Sequence, residues 1–590
     1  MNGNRRIILL AIIFWSALAI FETWPLIANL NTHIFGFPGD PFFKIRAFHI
    51  ASERLEQGLP FKWFWLGTHL PTFLPGVALT RLFSAVVAYN VLMLLSFPLA
   101  GLTMFFLAHY ITRGEKLVSL VAATAYAFCP YHLAHATAHL DLSHIEWLPL
   151  VFLFLLRCAD RPSARNIALL ICSYLLTLLG NYYYGFFTAL AALAFVIADL
   201  LCHLLVRANV VGRAKNYART LIAPAVIAAV SLPFAWQFIT HRLWYARDIR
   251  DVFRFAARLR DYVVPSPPFS LFGGPFAQFV ALRIHKSYQS EQSLFLGFTI
   301  LAFAAYALFC AVRYVGAVHE PPTKNANQNT KGRFVNRPYE IRPAAAALAF
   351  ALCALSCFII SFPPVIEAFG LQIKTPAYYL YFLAPMFRFY SRMGVLVELC
   401  VIAVATYGLM RVGRAFQPAV HRVLITLAFC AILAEVIVLP GTNLTSVAPR
   451  PVDQFLAGLP DSGKVLDILP ETPNSYAFIL FEDRLVSVPL VQTALLHQLT
   501  HKKPIIAPIQ LLEADITARE DYTKIQKLRS LGVKYIVFEG GGILFASREV
   551  LSEQSLVTFY RNSRDVRLMR QFGTDLLFEI LPPKLTGPKS

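Results

Sequence analysis

One acidic residue, Asp40, stands alone in the run Gly36-Phe37-Pro38-Gly39-Asp40-Pro41-Phe42-Phe43. A carboxylate set between glycine and proline could take a proton from an acceptor hydroxyl, or orient it. The same residue ahead of Pro41 also suits a helix N-cap with proline at the first helical position. The residues alone leave both roles open. Further on, Arg247, Arg250, Arg254 and Arg258 recur at i, i+3, i+7 and i+11, one stripe of a helix. Val252, Phe253, Phe255, Ala256 and Leu259 cover much of the remaining surface. The spacing predicts an amphipathic helix within 240–264 that lies in a membrane interface. Arginine binds phosphate in a two-pronged geometry, so the stripe could hold a phosphorylated ligand. General attraction to anionic lipid heads, or pairing with Asp248 and Asp251, would use the same residues.

A third group is rich in imidazole. His132, His135 and His139 follow Pro130-Tyr131 at helical spacing, and Asp141, His144 and Glu146 come next. Shared on one face, these side chains could line a wet vestibule and bond to one another. Imidazole with carboxylate also suits a divalent cation. Asn181-Tyr182-Tyr183-Tyr184-Gly185 adds aromatic rings that could anchor at an interface or, as with Tyr183, stack on a sugar. No phosphate loop is present. Gly540-Gly541-Gly542 follows a predicted strand but lacks the spacing of a dinucleotide fingerprint.

The elements that must position these residues are set by hydropathy. Of 590 residues, 57% are hydrophobic and only 15% charged. Apolar runs without two-residue alternation recur over the first 440 positions, and a bilayer crossing needs roughly 20 such residues. Only helices and closed barrels satisfy the backbone in lipid, and these continuous runs predict helices. The expected spans are 7–30, 83–110, 117–137, 145–157, 165–180, 185–206, 217–239, 292–316, 343–366, 393–411 and 419–440. The fold class is therefore an α-helical polytopic membrane protein with about eleven transmembrane helices over 1–440. Residues 441–590 change composition. Runs at Lys464–Ile468, Leu485–Val488 and Val533–Phe538 predict strands, and Leu511–Leu528 predicts a helix, giving a small soluble α/β domain.

The net charge of +19 reflects basic short loops rather than a nucleic-acid surface. Basic and uncharged loops alternate along the chain. This places the N-terminus and the polar linker 319–341 in the cytoplasm, and loops 31–82, 240–291 and 367–392 outside with the tail. No cleavage-type small residues follow the first apolar run, so that run is expected to stay as a span. All nine cysteines lie in or beside apolar spans, which argues against a disulfide framework.

Taken in order, several landmarks resemble one family. They are Pro38-Gly39-Asp40, Gly58-Leu59-Pro60, Tyr89-Asn90, and Pro130-Tyr131-His132 with His135, His139, Asp141 and Trp147-Leu148-Pro149. Asp261-Tyr262-Val263-Val264-Pro265-Ser266, Glu291 with Leu296-Gly297, and Arg388 with Arg392 follow. The set resembles the GT-C superfamily of membrane glycosyltransferases, in a bacterial polytopic branch, and covers most of residues 1–415. The resemblance implies an inverting enzyme in the bacterial inner membrane. It would move a sugar from a polyprenyl-phosphate carrier to a glycan, lipid or protein acceptor on the outer side. It implies Asp40 as catalytic base, and Glu291, Arg388 and Arg392 beside the substrate with the histidine group. Some members of the superfamily bind a divalent cation. This chain has no DxD, so a metal is left open. Two other classes fit the composition: a lipid or polysaccharide flippase using Asp199 and Glu435 within spans, or a non-catalytic assembly protein acting through its tail.

Overall fold

A computed structural model describes residues 3–583, apart from 37–38, 60–68, 207–208, 241–245, 266–290, 320–337, 369, 438–443, 460–462, 469–475, 482–483, 490, 506–522 and 539–556. The chain divides into two compact units. One comprises Met1–Ala28, Leu59–Gly76 and Asn90–Asn443; the other comprises Asn29–Gly58, Val77–Tyr89 and Leu444–Ser590.

The first unit is helical. Seven described helices are long and apolar enough to cross a bilayer: Ala85–Thr112, Leu140–Asp160, Tyr182–Leu205, Phe298–Val315, Pro343–Ser361, Tyr390–Arg414 and Pro418–Val436. Lys116–Ala127 and Pro130–Ala136 form an eighth if taken as one span, bent by 43°. The remaining expected spans coincide with the helices Gly3–Glu22, Ala164–Gly180 and Ile222–Thr240. Of these, Ala164–Gly180 is apolar but only 17 residues long. Close packing is possible where side chains are small. A Cβ added at Gly408 would come within 2.2 Å of the Phe303 carbonyl, so the helix Gly394–Ala415 meets Phe298–His319 nearly backbone to backbone. Some buried polar side chains pair across helices, as in the 2.9 Å bond from Trp15 Nε1 to Thr124 Oγ1.

The second unit joins the segment after the first helix to the tail. Strand His33–Phe35 pairs antiparallel with Leu444–Ser446, Phe35 opposite Leu444. Helix Asp40–Glu56 packs against helix Val491–His501. Arg46 Nη2 donates to Gln498 Oε1 at 3.4 Å, and Lys502 Nζ lies 3.4 Å from Glu53 Oε1. The tail carries a four-stranded sheet in the order Lys464–Ile468, Val533–Phe538, Asp575–Ile580, Val566–Phe572. Its first pair is parallel and the other two are antiparallel. Alternation sends Leu466, Ile536 and Phe578 to one apolar face and Val465, Val537 and Leu577 to the other. The three predicted strand runs all form, with Arg484–Pro489 in a separate hairpin with Tyr476–Phe481. The predicted helix 511–528 and Gly540–Gly542 fall largely outside the described residues, where only Ile525–Ser530 is seen as helix.

Candidate functional site

Asp40 is the first residue of its helix rather than the cap. Gly39 occupies the N-cap position at φ +136°, a left-handed conformation that favours glycine, and Pro41 follows inside the first turn. Of the two roles that the sequence left open for Asp40, the N-cap position is taken by Gly39 instead. Asp40 is exposed, in the first turn of the helix. It belongs to the second unit.

The remaining candidates belong to the first unit. The histidines do not share a helix face. Pro130 begins a new helix that ends at Ala136, and His139 sits beyond it with extended backbone. His132 is turned into the core: Nδ1 lies 2.6 Å from the Ala127 carbonyl, Nε2 lies 2.9 Å from Ser96 Oγ, and its ring stacks on Phe97. With both nitrogens engaged and no exposure, it is a structural residue. His135 points elsewhere, its Nδ1 3.3 Å from Nδ1 of His139 and its ring 4.3 Å from that of Tyr131. His135 Nε2 has no hydrogen-bond partner among the described residues. His144 is bound to Glu146 at 2.8 Å. Asp141 accepts from Thr72 Oγ1 at 2.7 Å and lies 3.2 Å from His69 Nδ1. His69 carries no sequence motif. Only the tertiary structure reveals it, at φ 61° ahead of helix Leu70–Leu82. Among the described residues no group of three His, Cys, Asp or Glu is arranged to hold a metal ion.

The arginine stripe is also rearranged. Instead of one helix, the segment forms two short ones, Ile249–Arg254 and Leu259–Val263. Backbone hydrogen bonds to other segments end the first: Ala257 N–H donates to the Ser361 carbonyl at 2.9 Å, and Ser391 N–H to that of Phe255 at 3.2 Å. Arg250 is 85% exposed and paired with Asp248 at 2.6 Å. Arg254 lies over Phe255, and Arg258 precedes the second helix, its N–H bonded to Asp261. The four arginines therefore do not form one cationic face.

One of them, Arg247, borders a large cavity of about 1200 Å³. Its walls are apolar, from Leu155, Leu170, Phe186, Leu193, Val196 and Ile227 among others. Tyr182 to Val196 follow one helix along it, a rise of about 21 Å. At the Tyr183 end stand Arg247 and Arg388. Arg388 reaches Asp251 Oδ2 at 2.8 Å and lies 4.7 Å over the Phe389 ring. Behind Tyr183 and Phe389 is a buried ion pair. The Arg392 guanidinium grips Glu291 at 2.5, 3.0 and 3.1 Å and sits 4.6 Å over Tyr183 and 4.0 Å over Phe389. The structure thus brings together Tyr183, Arg247, Glu291, Arg388 and Arg392, which the sequence could only name separately. An apolar channel ending in guanidinium groups and aromatic faces suits a long hydrocarbon chain with a phosphate head.

The acids that a flippase would need are engaged elsewhere. Asp199 is held by Arg213 and by the Tyr217 hydroxyl at 2.9 Å. Glu435 caps helix Phe298–His319 by accepting from Thr299 N–H at 3.0 Å and Thr299 Oγ1 at 2.6 Å.

A family model described as "Bacterial membrane protein YfhO" matches residues 67–255. No curated protein matches the chain in sequence. Among solved structures, it is similar to the arabinofuranosyltransferase AftD from mycobacteria, at TM-score 0.55 and 14% identity over 98% of this chain. It covers 40% of that enzyme's length. It is also similar to the oligosaccharyltransferase of Archaeoglobus fulgidus, at TM-score 0.47 and 13% identity, covering 91% of this chain and 69% of that one. A second structure of the archaeal enzyme, AglB with an inhibitory peptide and a dolichol-phosphate, gives TM-score 0.45 and 13% identity over 94% and 71%.

Proposed function

From the GT-C fold of a membrane glycosyltransferase, we propose that this chain transfers a sugar from a polyprenyl-phosphate carrier to a cell-envelope acceptor on the outer side of the membrane. The observation that carries the reading is the apolar cavity ending at Arg247 and Arg388. A prenyl tail would lie along its length, and the carrier phosphate would meet the two guanidinium groups. These hold the phosphate as leaving group while the sugar carbon is attacked. The buried Arg392–Glu291 pair fixes the aromatic rings behind the sugar. Asp40 is the proposed base that takes the acceptor proton as the new glycosidic bond forms, with inversion. It stands exposed in the first turn, and the cap is supplied by Gly39.

The test is sugar transfer by purified protein in proteoliposomes with a polyprenyl-phosphate sugar. Replacing Arg247 and Arg388 by alanine should raise the donor KM by roughly 10- to 100-fold per lost charge-assisted contact. Asp40→Asn keeps the size and polarity of the turn residue, so it should insert normally. It should also lose about 10²–10⁴-fold in turnover. Wild-type protein that discharges no polyprenyl-phosphate sugar would refute the reading, and a fully active Asp40→Asn would remove Asp40 from it.

A further inference from the structure

A second cavity of about 420 Å³ lies at the opposite end of the helix Tyr182–Leu205 from Tyr183. Tyr183 and His203 are separated by 20 residues, about 30 Å of helix. The proposed donor site uses none of its residues. Its polar walls come from Arg113, Arg157, Arg213, His109 and His203, with Asp160 as the acid.

These cations are not equivalent. Arg213 is consumed by its neighbours, bonded to Asp199 and, at 2.8 Å, to Asp160. Tyr110 also donates to Asp160 at 2.6 Å, so the acid on the wall is already satisfied. Arg157 is different. It makes no ion pair among the described residues, and its guanidinium rests 5.4 Å over Tyr110 and 5.5 Å over Phe154. Stacking on rings orients the planar group while its N–H edge stays available for an acceptor. His109 Nδ1 likewise has no hydrogen-bond partner among the described residues. Arg113 adds an independent observation. It follows the last residue of helix Ala85–Thr112 with φ +57°, a left-handed conformation normally given to glycine at a helix C-terminus. Glycine stands one position later, at Gly114. A side chain kept at such a position carries backbone strain that glycine would relieve, and strain of this kind gathers where a side chain binds something.

We propose that this cavity is a binding site for a phosphate group, with Arg157 and Arg113 as its ligands and the Arg213–Asp160–Asp199 network as its fixed wall. The two chemically equivalent sources are the headgroup of an anionic phospholipid in the adjacent leaflet and a soluble phosphate ester. Phe106, Ile111, Leu156, Pro343 and Ala346 complete the lining with apolar surface, which suits the glycerol and first methylenes of a lipid.

The experiment is calorimetric titration of the full-length protein in neutral detergent. The probes are dioctanoyl phosphatidylglycerol and inorganic phosphate, with dioctanoylglycerol as the uncharged control. Binding of phosphatidylglycerol alone assigns a lipid headgroup, binding of phosphate alone assigns a soluble ester, and binding of both makes the phosphate itself the determinant. In each case Arg157→Gln and Arg113→Gly should raise Kd about tenfold or more. Arg157→Lys, which keeps the charge but not the planar fork, should fall between. Arg113→Gly removes the strained φ, so it should fold at least as well as wild type and keeps the test decisive if Arg157→Gln folds poorly. Absence of binding by both phosphate compounds, or unchanged Kd in the variants, overturns the proposal. Neither result bears on sugar transfer, which is read by a separate assay.

Discussion

At the scale of single residues, the arginines and acids divide into those that hold structure and those left to act. Arg392 and Glu291 are 6% and 3% exposed and bond to each other through three contacts. Removing one charge strands the other in a buried site, at a cost of about 3–5 kcal/mol. Glu291→Gln should therefore lower unfolding stability in detergent by that order, and Arg392→Met together with Glu291→Leu should recover most of it. A double variant as unstable as the single would mean that packing, not charge, dominates there. The residue types of this site were legible in the sequence, but their partners were not. His132, His135 and His139 share a face only if the helix continues, and it ends at Ala136. The arginine stripe fails similarly, because Ser361 and Ser391 offer backbone partners that a lone helix lacks. Periodicity reports what one element would do by itself. It is silent about hydrogen bonds supplied by segments a hundred residues away.

Elements were legible in proportion to how strongly one force sets them. The spans follow from the bilayer's demand for long apolar helices, and the tail strands from short β-branched runs. Helix Val491–His501 had no such signal, since it is short and carries three histidines and glutamines in its last half. It is nonetheless placed by chemistry. His497 lies 2.5 Å from Asp467 Oδ2, and Arg450 lies 3.1 Å from the same oxygen. Burial pushes the Asp467 carboxyl up, but Arg450 and His497 pull it further down, well below the usual carboxylate range. Burial lowers His501 to about 4. Both shifts act in the same direction. A histidine with a depressed pKa binds its proton more readily when unfolded, so its contribution is present above about 6.5 and is lost as pH falls toward 4. The Asp467 contribution is lost only below about 3.9, as the unfolded carboxyl protonates. Tail stability should thus fall in two steps with acid, the first worth roughly 1–3 kcal/mol after solvent screening. Pulsed hydrogen exchange on the Val533–Phe538 strand would follow it. His501→Gln should abolish the step above pH 4 and leave the lower one. A pH profile unchanged by that variant would show that another group governs the first step.

For the whole molecule, composition announced a membrane bundle followed by a tail domain. The structure adds that the tail shares a compact unit with Asn29–Gly58, the segment carrying Asp40. Nothing local in His33–Phe35 signals its partner more than 400 residues on, because strand pairing leaves no mark in either strand's own sequence. Deleting residues 444–590 should therefore strip helix Asp40–Glu56 of its packing and expose it to protease, while the spans still insert. Limited proteolysis with a probe against residues 40–56 would show this. Equal resistance with and without the tail would mean that the segment is held by other contacts.

The pairing of Phe35 with Leu444 also imposes a rule of parity. Two strands bonded to each other lie on one side of the bilayer, so the chain between them must cross an even number of times. The seven single spans and the bent pair all lie within that interval and already make an even count. Among the described residues three apolar helices are left over, Leu70–Leu82, Ala164–Gly180 and Ile222–Thr240; if every further crossing is made by them, either two cross or none does.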